Sequence, residues 1–174
     1  WKQSIGAIAQ PRVVTMLLLG VSAGIPLLLI FSSLSLWLRE AGVDRSAVTY
    51  FSWAALGYSF KFVWAPLVNS LKVPFLTQKM GRRRSWLLLS QLMIMLAISL
   101  MAFVDPATDQ LTAMALAAVL LGFSAATQDI VIDAYRIESA DEQYQALMSS
   151  GYISGYRIGM LIAGAGALYL ASFL

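Results

Sequence analysis

The chain contains no cysteine and no histidine. Disulfides, thiolate nucleophiles, imidazole acid–base catalysis and the usual Cys/His zinc sites are therefore closed to it. Charge is scarce too: Asp, Glu, Lys and Arg make up 12% of the 174 residues, where an ordinary soluble domain carries about a quarter. Carboxylates, lysines, arginines, tyrosines and serines are what remains for chemistry. No metal site, no cofactor and no nucleic-acid partner is expected. The net charge of +3 points elsewhere than to nucleic acid, because three of its basic residues form one run, Arg82-Arg83-Arg84, between two apolar segments. That is the pattern of a membrane-flanking loop.

What the chain has in abundance is apolar surface. Hydrophobic residues make up 59% and the mean hydropathy is +0.73, so the expected class is an all-α, polytopic membrane protein whose first partner is membrane lipid. A helix crosses the hydrocarbon core in about 20 residues. Five stretches are long enough: 13–38, 46–71, 85–104, 111–135 and 146–174. They form one expected transmembrane bundle, 13–174, preceded by a surface segment, 1–12, broken by Pro11. The apolar part of that segment is too short for a secretory signal.

Basic residues set the expected orientation, since cytoplasmic loops hold the excess. With the N-terminus inside, the cytoplasmic segments hold Lys2, Arg12, Lys72, Lys79, Arg82, Arg83, Arg84 and Arg136, against Arg39 and Arg45 outside. The outer loops REAGVDR and DPATDQ are short, which makes spans one and two, and three and four, antiparallel neighbours.

Three charges fall inside spans: Lys61 in GYSFKFVWAP, Asp129 in SAATQDIVIDAY and Arg157 in SGYRIGML. Each is unfavourable by about 2.5–3.5 kcal/mol at a helix centre, so such groups face a bundle interior or a wet cavity. Counted inward from the cytoplasmic ends, the three lie in one layer. Asp133 stands one turn beyond Asp129 on the same face, nearer the cytoplasm. Two cations and two carboxylates sum to zero, which favours mutual pairing. Simpler roles stay open beside this one: Asp133 as an interfacial partner of Arg136, Lys61 reaching along its stem to the headgroups, or a salt bridge that only fixes helix register.

An internal repeat accompanies the charges. LLLGVSAG at 17–24 matches VLLGFSAA at 119–126, an offset of 102, and Gly57-Tyr58 before Lys61 matches Gly155-Tyr156 before Arg157, an offset of 98. Tandem three-helix units of opposite topology would produce this. The third span would then find its counterpart beyond Leu174, and the uncapped ending ALYLASFL likewise leads us to expect a longer chain. Glycines at four-residue spacing, Gly151, Gly155 and Gly159, and Gly20 with Gly24, allow close helix approach. Pro26 is expected to kink the first span, with Ser22, Ser32, Ser33 and Ser35 near the freed backbone. The third span, free of charge along SWLLLSQLMIMLAISLMAFV, reads as lipid-facing support.

The run MGRRRSW between the second and third spans resembles the loop signature of the major facilitator superfamily, with Gly81-Arg82-Arg83-Arg84 on its later half and Asn69 where that family often has Asp. FKFVWAPL at 60–67, GRRRSWLL at 81–88, SAATQDIVIDAY at 124–135 and GYRIGML at 155–161 resemble, in order, segments of the AmpG muropeptide permeases within it. The resemblance implies an N-terminal helical bundle of a proton-coupled importer. Its cargo would be an anionic glycopeptide, N-acetylglucosaminyl-anhydro-N-acetylmuramyl peptide, taken across the bacterial inner membrane for cell-wall recycling. It also implies a C-terminal half as partner. Related acetyl-CoA carriers keep a second substrate class open. On this reading Asp129 and Asp133 exchange between protonated and ion-paired states, and Lys61 and Arg157 pair with them or with substrate carboxylates. Gln128, Tyr58 and Tyr156 would bind sugar hydroxyls, Trp53 or Trp64 would stack on a sugar ring, and Asn69 with Gly81–Arg84 would form a gating loop. A membrane aspartic protease fits less well, since its carboxylates converge from different helices; a purely structural subunit would need no charges at this depth.

Overall fold

The computed structural model describes residues 10–44, 51, 56–105, 110–139 and 142–173. Among them the chain is helical throughout: α1 Pro11–Leu28, a π-helical turn Leu29–Ser33, α2 Leu34–Glu40, α3 Leu56–Ser70, α4 Leu76–Met80, α5 Arg82–Phe103, α6 Leu111–Ser139 and α7 Glu142–Ala171. Four helical stretches are long and apolar enough to cross a membrane: Pro11–Glu40, Arg82–Phe103, Leu111–Ser139 and Tyr144–Leu170. The protein is a multi-pass membrane protein. Of the second expected span, 46–71, residues 51 and 56–71 are described, 56–70 of them as α3; Trp53 lies outside the described residues.

Local chemistry sets the ends. Pro11 occupies the first position of α1, where its missing N–H is no loss. The first span closes on Gly42 at φ 79°, with Gly42 N–H donating to the Arg39 carbonyl and Val43 N–H to the Leu38 carbonyl. That is a Schellman ending, which satisfies two of the carbonyls a helix end leaves over. Pro26 lies inside α1, and the π turn begins three residues later. The helix therefore absorbs its proline by a change of hydrogen-bond register. Before α5 the chain turns at Gly81, φ 80°, whose carbonyl accepts from the Ser85 hydroxyl at 2.7 Å. Arg82, Arg83 and Arg84 thus form the first turn of a helix, where their charge pattern alone reads as loop.

Cα packing divides the chain into two compact units, one running to Ile25 and resuming at Ile132, the other Pro26–Val131. In the first, α1 and the middle of α7 meet almost backbone to backbone. A Cβ on Gly151 would stand 3.1 Å from the Val13 carbonyl oxygen, and one on Gly155 would be 2.8 Å from the Leu17 carbonyl carbon. Reciprocally, a Cβ on Gly20 would lie 2.9 Å from the Tyr156 nitrogen, and Gly24 opposes the Tyr156 carbonyl. Small residues alternate on both helices, as close membrane-helix contacts require.

The second unit has a conventional core. Ile30, Leu34 and Leu38 pack with Ile94, Ala97 and Met101 of α5 and with Met114, Ala117, Ala118, Leu121 and Ala125 of α6. The buried positions of α5, Ser85, Ser90, Ile94, Ala97 and Met101, fall along one stripe, while Leu92, Met95, Leu96 and Leu100 remain exposed. One face packs on protein and the rest is apolar surface for lipid.

Candidate functional site

The site begins with a close approach of two helices in the second unit. A Cβ on Gly57 of α3 would stand 3.3 Å from the carbonyl carbon and oxygen of Gly122 of α6. One turn further along α3 is Lys61; two turns further along α6 is Asp129. The glycine contact holds the helices near enough for these to meet, and Lys61 Nζ donates to Asp129 Oδ2. Their side chains are 33% and 17% exposed, so the pair is shielded but reachable. Three residues past Lys61, the Trp64 ring packs on Phe123 with centroids 4.7 Å apart, and its indole N–H donates to the Thr127 hydroxyl at 3.2 Å. Thr127 in turn donates to the Phe123 carbonyl at 2.8 Å. Lys61 and Trp64 therefore engage successive turns of α6.

Towards the Arg82 end of α5, Val68, Ile130 and Val131 form a small buried cluster, against which Trp64, Ala65, Trp86 and Leu87 pack. Beyond it Arg83 donates to the Asn69 side-chain oxygen at 2.6 Å and the Trp86 indole donates to the Leu71 carbonyl at 3.0 Å. The end of α3 is thus tied twice to the first turns of α5. Asn69 serves as an acceptor for arginine in the position expected of an acidic residue.

Asp133, Arg157 and Tyr156 lie in the first unit. Asp133 accepts from Arg136, one turn on, at 3.5 Å. Arg136 also donates to the Ser149 hydroxyl of α7, and the Gln145 amide donates to the carbonyls of Arg136 and Ile137 at 3.2 and 3.4 Å. The pairing of Asp133 with Arg136 was one of the simpler roles open from sequence, whereas the contacts of Arg136 and Gln145 between the end of α6 and the start of α7 were not anticipated. Arg157 is exposed on α7, and Tyr156 is half-buried with its ring 5.9 Å from that of Tyr152. In the second unit Gln128 is fully buried and Tyr58 half-buried. No group of three or more acidic side chains that could hold a metal ion occurs among the described residues.

Chemically, the Lys61–Asp129 pair is a neutral unit built from two charges on different helices. Each charge offsets the desolvation of the other in apolar surroundings, so the pair ties α3 to α6.

Comparison with known proteins bears on this arrangement. A family model described as acetyl-coenzyme A transporter 1 matches residues 13–173. A protein from Rickettsia felis named AmpG 4 is 44% identical over 160 residues, 92% of this chain and 38% of that relative. The anhydromuropeptide permease of Escherichia coli is 39% identical over 162 residues, 93% of this chain and 32% of that protein. The chain spans about a third of the length of the curated relatives it matches. No solved structure matches. With the family model matching residues 13–173, nearly the whole chain, the chain belongs to the acetyl-coenzyme A transporter 1 family.

Proposed function

We propose that this chain forms the N-terminal part of a secondary transporter of the bacterial inner membrane, N-terminus cytoplasmic, importing anhydromuropeptides together with protons. The observation that carries the reading is the Lys61–Asp129 pair joining two apolar helices. A permanent dipole at that depth has a use if the pair opens and closes, and little otherwise. Substrate class is drawn from the relatives named anhydromuropeptide permease.

In the proposed cycle, protonation of Asp129 frees Lys61, whose ammonium then attracts a carboxylate of the incoming peptide. Release of the proton on the other side restores the pair and displaces the substrate. Asp133 and Arg157 contribute charge further along the path, while Tyr58, Tyr156, Gln128, Trp53 and Trp64 shape the sugar site. Asn69 with Gly81–Arg84 controls the separation of α3 and α5. The portion of the relatives' length not represented here supplies the opposite wall. A second reading, carriage of acetyl-CoA, rests on the family description; the same cations would then meet phosphates.

The test is uptake into vesicles holding the full-length protein, with labelled anhydromuropeptide or labelled acetyl-CoA and an imposed inward proton gradient. The expected result is gradient-driven uptake of the muropeptide, abolished by Asp129→Asn and strongly reduced by Lys61→Met and Arg157→Gln. Uptake that survives collapse of the gradient and all three substitutions would overturn the mechanism. Uptake of acetyl-CoA alone would keep the mechanism and change the cargo.

A further inference from the structure

Between α5 and α6, within the second unit, lies a groove of about 200 Å³ lined by Trp86, Leu89, Ser90, Met93, Phe123, Ser124 and Thr127. It is too small for a glycopeptide, since small-molecule sites run to about 300–1,000 Å³. Two of its hydroxyls are also committed to the backbone: Ser90 donates to the Leu87 carbonyl at 2.9 Å and Thr127 to the Phe123 carbonyl at 2.8 Å. What faces the groove is almost wholly apolar.

Helix geometry places a cation at one end of it. Arg82, Trp86, Leu89 and Met93 stand at i, i+4, i+7 and i+11 of α5, so they share one face. At about 1.5 Å per residue, the lining of α5 begins roughly 6 Å from Arg82 and ends roughly 16 Å from it. Half of a hydrocarbon core is about 15 Å. The α5 lining therefore runs over roughly 10 Å within the depth of one leaflet, with Arg82 on the same helix face one turn beyond its near end. Arg82 and Arg84 are exposed, whereas Arg83 is held by Asn69; Arg84, two residues on, lies on the other side of the helix.

We propose that this groove is a binding site for an anionic phospholipid of the leaflet on the Arg82 side, one acyl chain lying between α5 and α6 and the phosphate on Arg82. Charge complementarity selects the occupant. A neutral or zwitterionic lipid would fill the apolar part equally well but would leave the arginine without a net negative partner, and one basic residue near an anionic surface contributes about 1 kcal/mol.

The experiment uses the full-length protein with Trp86 as its sole tryptophan, in nanodiscs containing phosphatidylglycerol or phosphatidylcholine brominated on the acyl chain. Trp86 fluorescence should be quenched more by brominated phosphatidylglycerol, with an apparent affinity about fivefold higher. Arg82→Gln should erase the difference and Arg84→Gln should keep it. Equal quenching by both lipids, or a difference lost equally in Arg84→Gln, overturns the proposal; absence of quenching by either means that protein covers the groove and overturns it as well. Should the single-tryptophan protein fail to fold, native mass spectrometry of the unmodified protein and Arg82→Gln decides the matter: about fivefold less retained phosphatidylglycerol in the variant is expected, and equal retention refutes the site. Neither readout depends on substrate, so each outcome is independent of the transport reading.

Discussion

Removing one member of the Lys61–Asp129 pair should be more harmful than removing both. Lys61→Met keeps most of the side-chain length but strands the carboxylate; Asp129→Asn keeps shape but strands the ammonium. An exposed pair contributes about 0–1 kcal/mol, while breaking a fully buried one destabilises by about 3–5 kcal/mol, because the survivor is left uncompensated. With side chains 33% and 17% exposed, this pair lies between the limits, and about 2 kcal/mol is expected for each single change. The double change leaves no stranded charge. It should be about as stable as the wild type, so the cycle yields a coupling of about 4 kcal/mol, because simple addition would predict a loss of about 4 kcal/mol.

The assay is thermal unfolding in one detergent, followed by fluorescence-detected size-exclusion chromatography, with wild type, both singles and the double run together. A double variant that melts as low as the sum of the two single shifts would refute the pairing as an energetic unit. Uptake measured on the same four proteins separates stability from mechanism. The double variant should recover its melting temperature and remain unable to couple uptake to protons, since it has no carboxylate to protonate at position 129.

Other substitutions test the surroundings of the pair. Asn69→Asp should strengthen the 2.6 Å contact with Arg83 by up to about 1 kcal/mol and Asn69→Ala should weaken it, both read as shifts in melting temperature. Trp64→Phe preserves the ring against Phe123 but removes the N–H given to Thr127, a loss of about 1 kcal/mol in the same assay. Gly155→Ala should destabilise by about 1–3 kcal/mol through collision with the Leu17 backbone. Gly166→Ala, which meets nothing within 4 Å, should be neutral or stabilising by up to about 1 kcal/mol; equal melting of the two glycine variants would contradict the packing.

The all-α membrane class was legible because hydropathy summed over twenty residues tolerates local irregularity. So was the meeting of Lys61 with Asp129, since two opposite charges in apolar helices have few other partners. Hydrogen-bond register left no such signature. Nothing in LIFSS distinguishes a π turn from an α turn, and the accommodation of Pro26 depends on which carbonyls neighbouring residues release. The arginine run was similarly ambiguous: charge marks the membrane boundary, but arginine is also a good helix former, and the positive φ of Gly81 decides where the helix starts. Asp133 illustrates a third difficulty. Its spacing from Asp129 and from Arg136 satisfies helical neighbours on both sides, and only coordinates reveal the contact with Arg136.

The internal repeat gains meaning from the glycine contacts. Gly57 and Gly155 are matched at an offset of 98, and Gly20 and Gly122 at an offset of 102. In the second unit Gly57 packs on Gly122; in the first, Gly155 packs on Leu17 and Val21, the residues either side of Gly20's turn. Each unit therefore holds the same contact, assembled from equivalent pieces. Their continuation differs. Carrying Lys61 forward by 98 reaches Gly159, and carrying Asp129 back by 102 reaches Leu27. The second contact thus has a glycine seam, with Gly159 against the Val21 backbone, where the first has an ion pair. If the charges served only to hold helices in register, both contacts would need them equally; one holds by close backbone packing alone. That asymmetry argues for a role of Lys61 and Asp129 beyond packing.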